Sequence, residues 1–251
     1  MGSTRLPGKS MMDLAGAPLV GRILERVKRA TALDAIVLAI PDNAQNAVLG
    51  ELGRYMGVDV FKGSEHDCLD RYYQAAKAFD AELVGRLPAD NAVPEPSEID
   101  RIVRFHQSLG RPGFSSNLAQ ISVDGVATGY PDGIGAEVFD FELLAHAWQN
   151  NSDPRQREHV HLNFFDYGTQ RSVDPAWCPV HSIACPAAFR RPDLVLDVNT
   201  PAQYDFMRTL YAELYPGNPN FHITDIIAWY DNVYLPRMKR AQPRQHRNLA
   251  T

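Results

Sequence analysis

Ala35-Ile36-Val37-Leu38-Ala39-Ile40, closed by Pro41-Asp42-Asn43, is an unbroken apolar run that ends in a turn able to cap a helix. A strand wetted on one side alternates apolar and polar residues, so six apolar residues in a row predict a strand buried on both faces, as in a parallel sheet. Beyond Asn43, strands and helices continue to take turns. Residues 44–56 read as a helix stopped by Gly57, residues 58–61 as a short strand, and residues 65–79 as a second helix. Glu82-Leu83-Val84-Gly85-Arg86-Leu87 is a further strand, and a helix follows from Ser97 to Leu109. Alternation with short connections implies parallel pairing and right-handed crossovers, so the expected class is α/β.

Upstream, Leu19, Val20, Ile23, Leu24 and Val27 mark one face of an amphipathic helix. Downstream of residue 110 the pattern changes. Phe114–Leu118 and Ile121–Val123 read as strands, residues 141–150 as a helix, and Asp153-Pro154 as the cap and first turn of another. Leu194–Val198 reads as a strand running into a helix over 202–214, capped by Thr200 or Asn199, with a last helix from Thr224. Residues 237–251 are basic and Pro/Gln-rich without periodicity, a flexible tail by expectation. One domain over 1–236 is expected, in three parts: 1–110, 111–200 and the C-terminal helices of 201–236.

Composition sets the classes to exclude. The chain has 251 residues, 45% hydrophobic and 22% charged, with a net charge of -5, which suits an ordinary globular protein and argues against a nucleic-acid groove across the whole surface. No stretch approaches the about 18 consecutive apolar residues of a membrane span, and no charged-then-apolar leader is present, so no membrane partner and a cytoplasmic location are expected. Cys68, Cys178 and Cys185 do not read as a disulfide framework. Cys178-x2-His181 with Cys185, and His159 and His161 upstream, raises a zinc question; without a CxxC pair, apolar packing is the preferred reading.

Several stretches carry chemistry. Gly2-Ser3-Thr4-Arg5-Leu6-Pro7-Gly8-Lys9 combines small residues, which let backbone N–H groups approach an anion, with two cations. It lacks the spacing of the Walker or dinucleotide-binding loops, and its bland reading is a solvated tail. Gly63-Ser64-Glu65-His66-Asp67-Cys68-Leu69-Asp70-Arg71-Tyr72-Tyr73 lies after a strand, where open sheets bind ligands, although Ser64 as a helix cap and Asp67, Asp70 and Arg71 paired with one another would also explain it. Arg86-Leu87-Pro88-Ala89-Asp90-Asn91 puts a hard oxygen ligand at a strand end, or merely a cap. In Gly129–Phe139, Asp132 and Glu137 can accept hydrogen bonds from hydroxyls, or Asp132-Gly133 can be a hairpin turn. Glu158 and His159 follow Arg157 near a helix start, where a histidine is more often structural than catalytic. Asp197 and Asn199 close the set.

These motifs, in this order, resemble the cytidylyltransferases that activate sugars, including the CMP-KDO and CMP-sialic acid synthetases, and most closely the spore coat polysaccharide biosynthesis group. The resemblance covers nearly the whole chain. It implies a Rossmann-like doubly wound, mostly parallel sheet with a smaller β-rich insertion for acceptor binding and dimerisation. It also implies transfer of CMP from CTP to a sugar acid or phosphorylated small molecule, with release of pyrophosphate, Mg²⁺ as cofactor and a homodimer. By the same resemblance Arg5 and Lys9 are catalytic. Gly2, Ser3, Ser64, Arg86 and Asp90 join them in binding nucleotide, and Arg71, Asp132, Glu137, Glu158 and His159 bind the acceptor. Asp90 holds the metal. Relatives carry Asp-Thr-Pro where this chain has Asn199-Thr200-Pro201, so Asp197 or Asn199 is the second ligand, with Asp197 favoured for its charge. Pro88-Ala89 stands where the family usually has Thr-Gly.

In that family a buried strand ending in Gln-Ala-Arg precedes the first loop, and it is missing ahead of Gly2. A sheet without its central strand leaves two ladders unpaired, so a start codon set too late is the expectation. A non-catalytic homologue is one alternative. A glycosyltransferase on a similar scaffold is the other, and it would be favoured by an Asp-x-Asp, where Ala89-Asp90-Asn91 offers a single carboxylate.

Overall fold

The structure, a computed structural model, describes residues 5–123 and 126–241. Its first half follows the alternation. A small ribbon, β1 (Asp13–Leu14) and β2 (Ala17–Pro18), leads into α1 (Leu19–Val27), then β3 (Val37–Pro41), α2 (Ala47–Tyr55), β4 (Asp59–Gly63), α3 (Cys68–Ala78), β5 (Leu83–Arg86) and α4 (Pro96–Ser108). The second half adds β6 (Phe114–Ser116), β7 (Ser122–Val123), β8 (Val126–Ala127), β9 (Glu137–Asp140), α5 (Phe141–Asn150), α6 (Pro154–Glu158), β10 (Phe165–Asp166), β11 (Arg171–Ser172) and β12 (Val180–Ser182). It closes with α7 (Pro201–Leu214), α8 (Ile223–Trp229) and α9 (Leu235–Ala241). Helix α9 thus takes up residues 237–241 of the expected tail, while residues 242–251, like Gly2 and Ser3, lie outside the described residues. No described helix is long and apolar enough to cross a membrane.

The fold is Rossmann-like α/β, with its sheet in two pieces. β3 and β4 pair in parallel by themselves, and a four-stranded mixed sheet runs β12-β6-β9-β5, with β9 antiparallel to both neighbours. Among the described residues β3 pairs only with β4, and β5 only with β9. Two helices hold the pieces together. On α1, Val20 packs with Ile40 and Leu49, while Leu19, Ile23 and Val27 join Ile99 and Ile102 of α4. Helix α3 touches β3 and β4, and its Leu69, Tyr73 and Ala76 pack with Val84 of β5. The open edge has a consequence for burial. Val37, Leu38 and Ala39 are only half-buried, and Ile40 alone is fully enclosed, where the unbroken apolar run predicts burial of both faces.

Helix α1 departs from expectation the other way. Its polar stripe is also covered, with Arg22 and Arg26 5% and 3% exposed. Buried guanidinium groups need acceptors. Arg22 donates to Leu14 O at 2.8 Å, and Arg26 to Pro94 O at 2.9 Å and Phe221 O at 3.0 Å.

Two backbone findings shape the site. Leu194–Val198 is not a continuous strand, because it pairs first with one segment and then with another. Asp132 N donates to Leu194 O and Leu196 N to Asp132 O, both at 2.9 Å, and Val198 N donates to Asp90 O at 2.8 Å. No single ladder can form from such divided pairing, and among the described residues the segment makes the isolated bridges Asp132–Val195 and Asn91–Asp197. Asp132-Gly133 is accordingly no hairpin turn. Gly133 has φ +94, and a Cβ there would lie 2.9 Å from Asp197 N and Leu196 C, so only glycine fits the crossing.

Candidate functional site

The 194–198 segment brings distant residues to Asp90, just past the carboxyl end of β5. Lys9 opens a short 3₁₀ turn after Gly8, whose φ of +71 turns the chain there. Leu6 is buried and its carbonyl accepts from Lys9 N at 3.2 Å, so the start of the described chain is anchored rather than a solvated tail. Lys9 Nζ donates to Asp90 Oδ2 at 3.1 Å, Val198 O at 2.8 Å and Asn199 Oδ1 at 3.1 Å. Arg5 is exposed and donates to the same Asn199 oxygen at 3.0 Å.

Asp197 faces this cluster. Its Oδ2 accepts from Asn199 Nδ2, and its Oδ1 from Gln203 Nε2 at 2.9 Å. Burial pushes its carboxyl above the usual range, and the charges of Asp132 and Asp90 push the same way against the Asn199 amide and Lys9. A carboxylate that is partly buried among others gains from any cation brought to it. Thr200, not Asn199, caps α7, its Oγ accepting from Gln203 N at 3.2 Å, so the Asn199 amide is left to the cluster.

Among the described residues, no three His, Cys, Asp or Glu side chains group closely enough to hold a metal by themselves. Asp90, Asp197 and the Asn199 carbonyl oxygen nevertheless form a set of hard oxygen donors. That set suits Mg²⁺, which takes one or two carboxylates and completes its shell with water and phosphate. In this arrangement the Lys9 ammonium sits among the oxygens that a divalent cation would share.

A second group lies one strand away. Arg86 ends β5 and stands opposite Glu137 on β9, Nη1 to Oε2 2.5 Å. Tyr167 OH donates to the other Glu137 oxygen at 3.2 Å. Burial works against the Arg86 charge, but Glu137 and Tyr72 outweigh it and hold the guanidinium above its ordinary value. Burial raises the Tyr72 phenol to about 12 and drives the Tyr167 phenol up as well, with Glu137 and Asp132 adding to the latter. The charge of Asp132 is therefore felt by both Asp197 and Tyr167. His161 stands with its ring 5.1 Å from Tyr167, and burial lowers its pKa to about 4.

At the start of α3 the cap is Asp67, which accepts from Asp70 N at 2.8 Å, while Ser64 Oγ accepts from Asp67 N at 3.1 Å. Arg71 pairs with neither aspartate. It folds back to donate to Ser64 O and to Cys68 Sγ, and Asp67 pairs instead with Arg157 of α6 at 2.6 Å. Glu158 and His159 are exposed at the end of α6. His159 lies 5.9 Å from His161, ring to ring, and the charge of Glu158 reaches Cys68 beside Arg71. The cysteines do not assemble. Cys178 packs with Phe114, Phe139 and Phe164, Cys185 packs in the other core, and burial pushes their thiols up to about 12 and 11.

Sequence reasoning thus named Arg5, Lys9, Asp90, Asp197 and Asn199, which the fold brings together, and Arg86 and Glu137, which it pairs. It missed Gln203 and Tyr167 and considered His161 only for zinc. Gln203 had a signal, three residues after the Thr200 cap; Tyr167 sits in a loop segment with no periodicity to mark it.

The cytidylyltransferase family model matches residues 1–171. The spore coat polysaccharide biosynthesis protein SpsF of Bacillus subtilis is 28% identical over 218 residues, 85% of this chain and 83% of its own. A 3-deoxy-manno-octulosonate cytidylyltransferase of Anaeromyxobacter is 28% identical over 172 residues, 65% of this chain and 69% of its own. A cytidylyltransferase structure from Leptospira borgpetersenii superposes with a TM-score of 0.80 at 23% identity, over 98% of this chain and 95% of that one, and shows the shared fold. The family match takes in the Arg5–Lys9 loop, Asp90 and the Arg86–Glu137 pair, and on that match the chain belongs to the cytidylyltransferase family.

Proposed function

We propose that the protein transfers CMP from CTP to an oxygen of a sugar acid or a phosphorylated small molecule and releases pyrophosphate. The acceptor oxygen attacks the α-phosphorus, and the bond to the bridging oxygen of the leaving pyrophosphate breaks. Such a displacement needs alignment and charge neutralisation rather than a covalent enzyme intermediate. The observation that carries this reading is the Lys9 ammonium held among Asp90, Val198 O and Asn199, with Arg5 beside it. Two cations on an anchored loop stand against oxygen donors at the strand ends, where a triphosphate and its counter-ion are expected.

In this reading Arg5 and Lys9 take the charge of the triphosphate and the departing pyrophosphate, while Gly2, Ser3, Ser64 and Arg86 hold the nucleotide. Asp90, with Asp197 or Asn199, would hold Mg²⁺. When bound, the ion neutralises phosphate oxygens and fixes their orientation. Lys9, which donates to Asp90 at 3.1 Å, is placed to meet a phosphate beside those ligands. Asp132 and Glu137, with Arg71, Glu158 and His159 at the rim, receive the acceptor, and Arg86 bonded to Glu137 ties the two halves together. A homodimer working in the cytoplasm on activated sugars for surface polysaccharide completes the proposal.

The experiment is acceptor-dependent release of pyrophosphate from CTP, run with 3-deoxy-manno-octulosonate, other 2-keto sugar acids and sugar phosphates, with and without Mg²⁺. Release that needs both CTP and Mg²⁺ supports the reading. Turnover of UTP in preference to CTP, or none with any acceptor, sinks it.

A further inference from the structure

A second basic site lies at the opposite end of α7. Asn199 sits at the start of that helix and Tyr215 just past its end; 14 residues separate the two ends by about 20 Å. There the ends of α1, α2 and α7 and the loop through Asn220 enclose an open cleft of ≈ 580 Å³, within the range of small-molecule sites.

Its walls are strongly cationic for a chain of net charge -5. Arg22, Arg26, Lys28 and Arg29 line it against one carboxylate, Glu25. Two of the four are satisfied by the protein. Arg22 bonds Leu14 O and Glu25 and lies 3.8 Å over the Tyr215 ring, and Lys28 Nζ donates to Met56 O at 2.6 Å.

The other two each keep one nitrogen without a hydrogen bond. Arg26, 3% exposed, uses Nε and Nη1 on backbone carbonyls, but its buried Nη2 makes no hydrogen bond. That nitrogen is ion-paired with buried Glu95, Oε2 at 3.6 Å, an oxygen that also accepts from Ile223 N at 3.0 Å. Arg29 bonds Asn220 Oδ1 through Nη1 at 3.2 Å, and its Nη2 is likewise buried without a hydrogen bond. Native proteins seldom leave buried donors unpaired, least of all charged ones. Burial also holds the Arg26 guanidinium below its ordinary value, so a neighbouring anion would favour its charged form.

Guanidinium nitrogens that lack acceptors call for an acceptor with several oxygens, and phosphate matches their fork. Tyr55 lines the cleft while 89% exposed, an unusual position for an aromatic ring, and Tyr215 lines it too. We infer that this cleft is a binding site, separate from the Lys9–Asp90 cluster, for a mononucleotide, whose phosphate takes Arg26 and Arg29 and whose base lies against Tyr55.

The probes are AMP and inorganic phosphate, titrated calorimetrically into the full chain and into Arg29→Gln, Tyr55→Ala and Lys9→Ala variants. Tyr55 is solvent-facing, so its variant keeps the fold, and melting curves check the others. Expected are saturable AMP binding, at least fivefold tighter than phosphate, and a tenfold or greater weakening of AMP by Arg29→Gln. Tyr55→Ala should erase the preference for AMP over phosphate and Lys9→Ala should change neither. No saturable binding, equal affinity for the two probes, or binding lost in Lys9→Ala but kept in Arg29→Gln overturns the inference.

Discussion

Arg86 and Glu137 face one another across the antiparallel β5–β9 pair, the guanidinium 15% and the carboxylate 1% exposed. The family resemblance assigned the arginine to the nucleotide and the glutamate to the acceptor; their contact makes each depend on the other. Removing one member of a buried pair leaves an uncompensated charge and costs about 3–5 kcal/mol. Arg86→Met should destabilise the protein by that amount in urea unfolding, and adding Glu137→Leu should recover much of it. A loss below about 1 kcal/mol would mean that the pair behaves like a surface one.

Lys9→Ala and Asp90→Ala should each lower turnover by about tenfold or more, at least about 1.4 kcal/mol in barrier terms. Steady-state pyrophosphate release measures this. Near-normal rates in either variant would remove that residue from the proposed chemistry.

Asn199→Asp places a third carboxylate beside Asp197 and Asp90. The half-saturating Mg²⁺ concentration for activity should fall, because added negative charge strengthens binding of a hard cation. An unchanged Mg²⁺ dependence would mean that residue 199 does not face the ion.

His161 sets a pH dependence. Its folded pKa, lowered to about 4 first by burial and then by Arg86, His159 and Arg155 against the pull of Glu137, lies below the unfolded value near 6.5. Between these values the unfolded chain binds more protons, so the stabilisation is present above about pH 6.5 and is lost as pH falls toward 4. His161→Gln should flatten the melting temperature across that window. Equal slopes in both proteins would contradict the burial of a neutral ring.

Gly133→Ala should unfold the protein at lower temperature, since φ +94 and a 2.9 Å approach to the backbone of Leu196 and Asp197 leave no room for a methyl. A melting temperature within a degree or two of the parent would mean that the crossing is loose enough to admit a side chain.

The alternation was legible because each element carries its own period and stop, as with Gly57 after α2 or Asp153 before α6. The site motifs were legible because they sit at strand ends. What the sequence could not show depends on neighbours. The half-burial of Val37–Ala39 follows from the open edge of β3, which no property of those residues encodes. Arg22 and Arg26 look solvent-facing until Leu14, Pro94 and Phe221 arrive with carbonyls. The segment 194–198 has the composition of a strand, yet its hydrogen bonds are divided between Asp90 and Asp132, more than 60 residues upstream.

Thermal stabilisation by CTP, UTP, GTP and ATP, each with and without Mg²⁺, tests the nucleotide site most directly, because it needs no knowledge of the acceptor. A ligand that binds only the folded state, at ~100 times its dissociation constant, adds about 2.7 kcal/mol. Selective, Mg²⁺-dependent stabilisation by CTP, reduced in the Lys9→Ala and Asp90→Ala variants, is the expected result. No response to any nucleotide would contradict a working CTP pocket around Lys9 and Asp90.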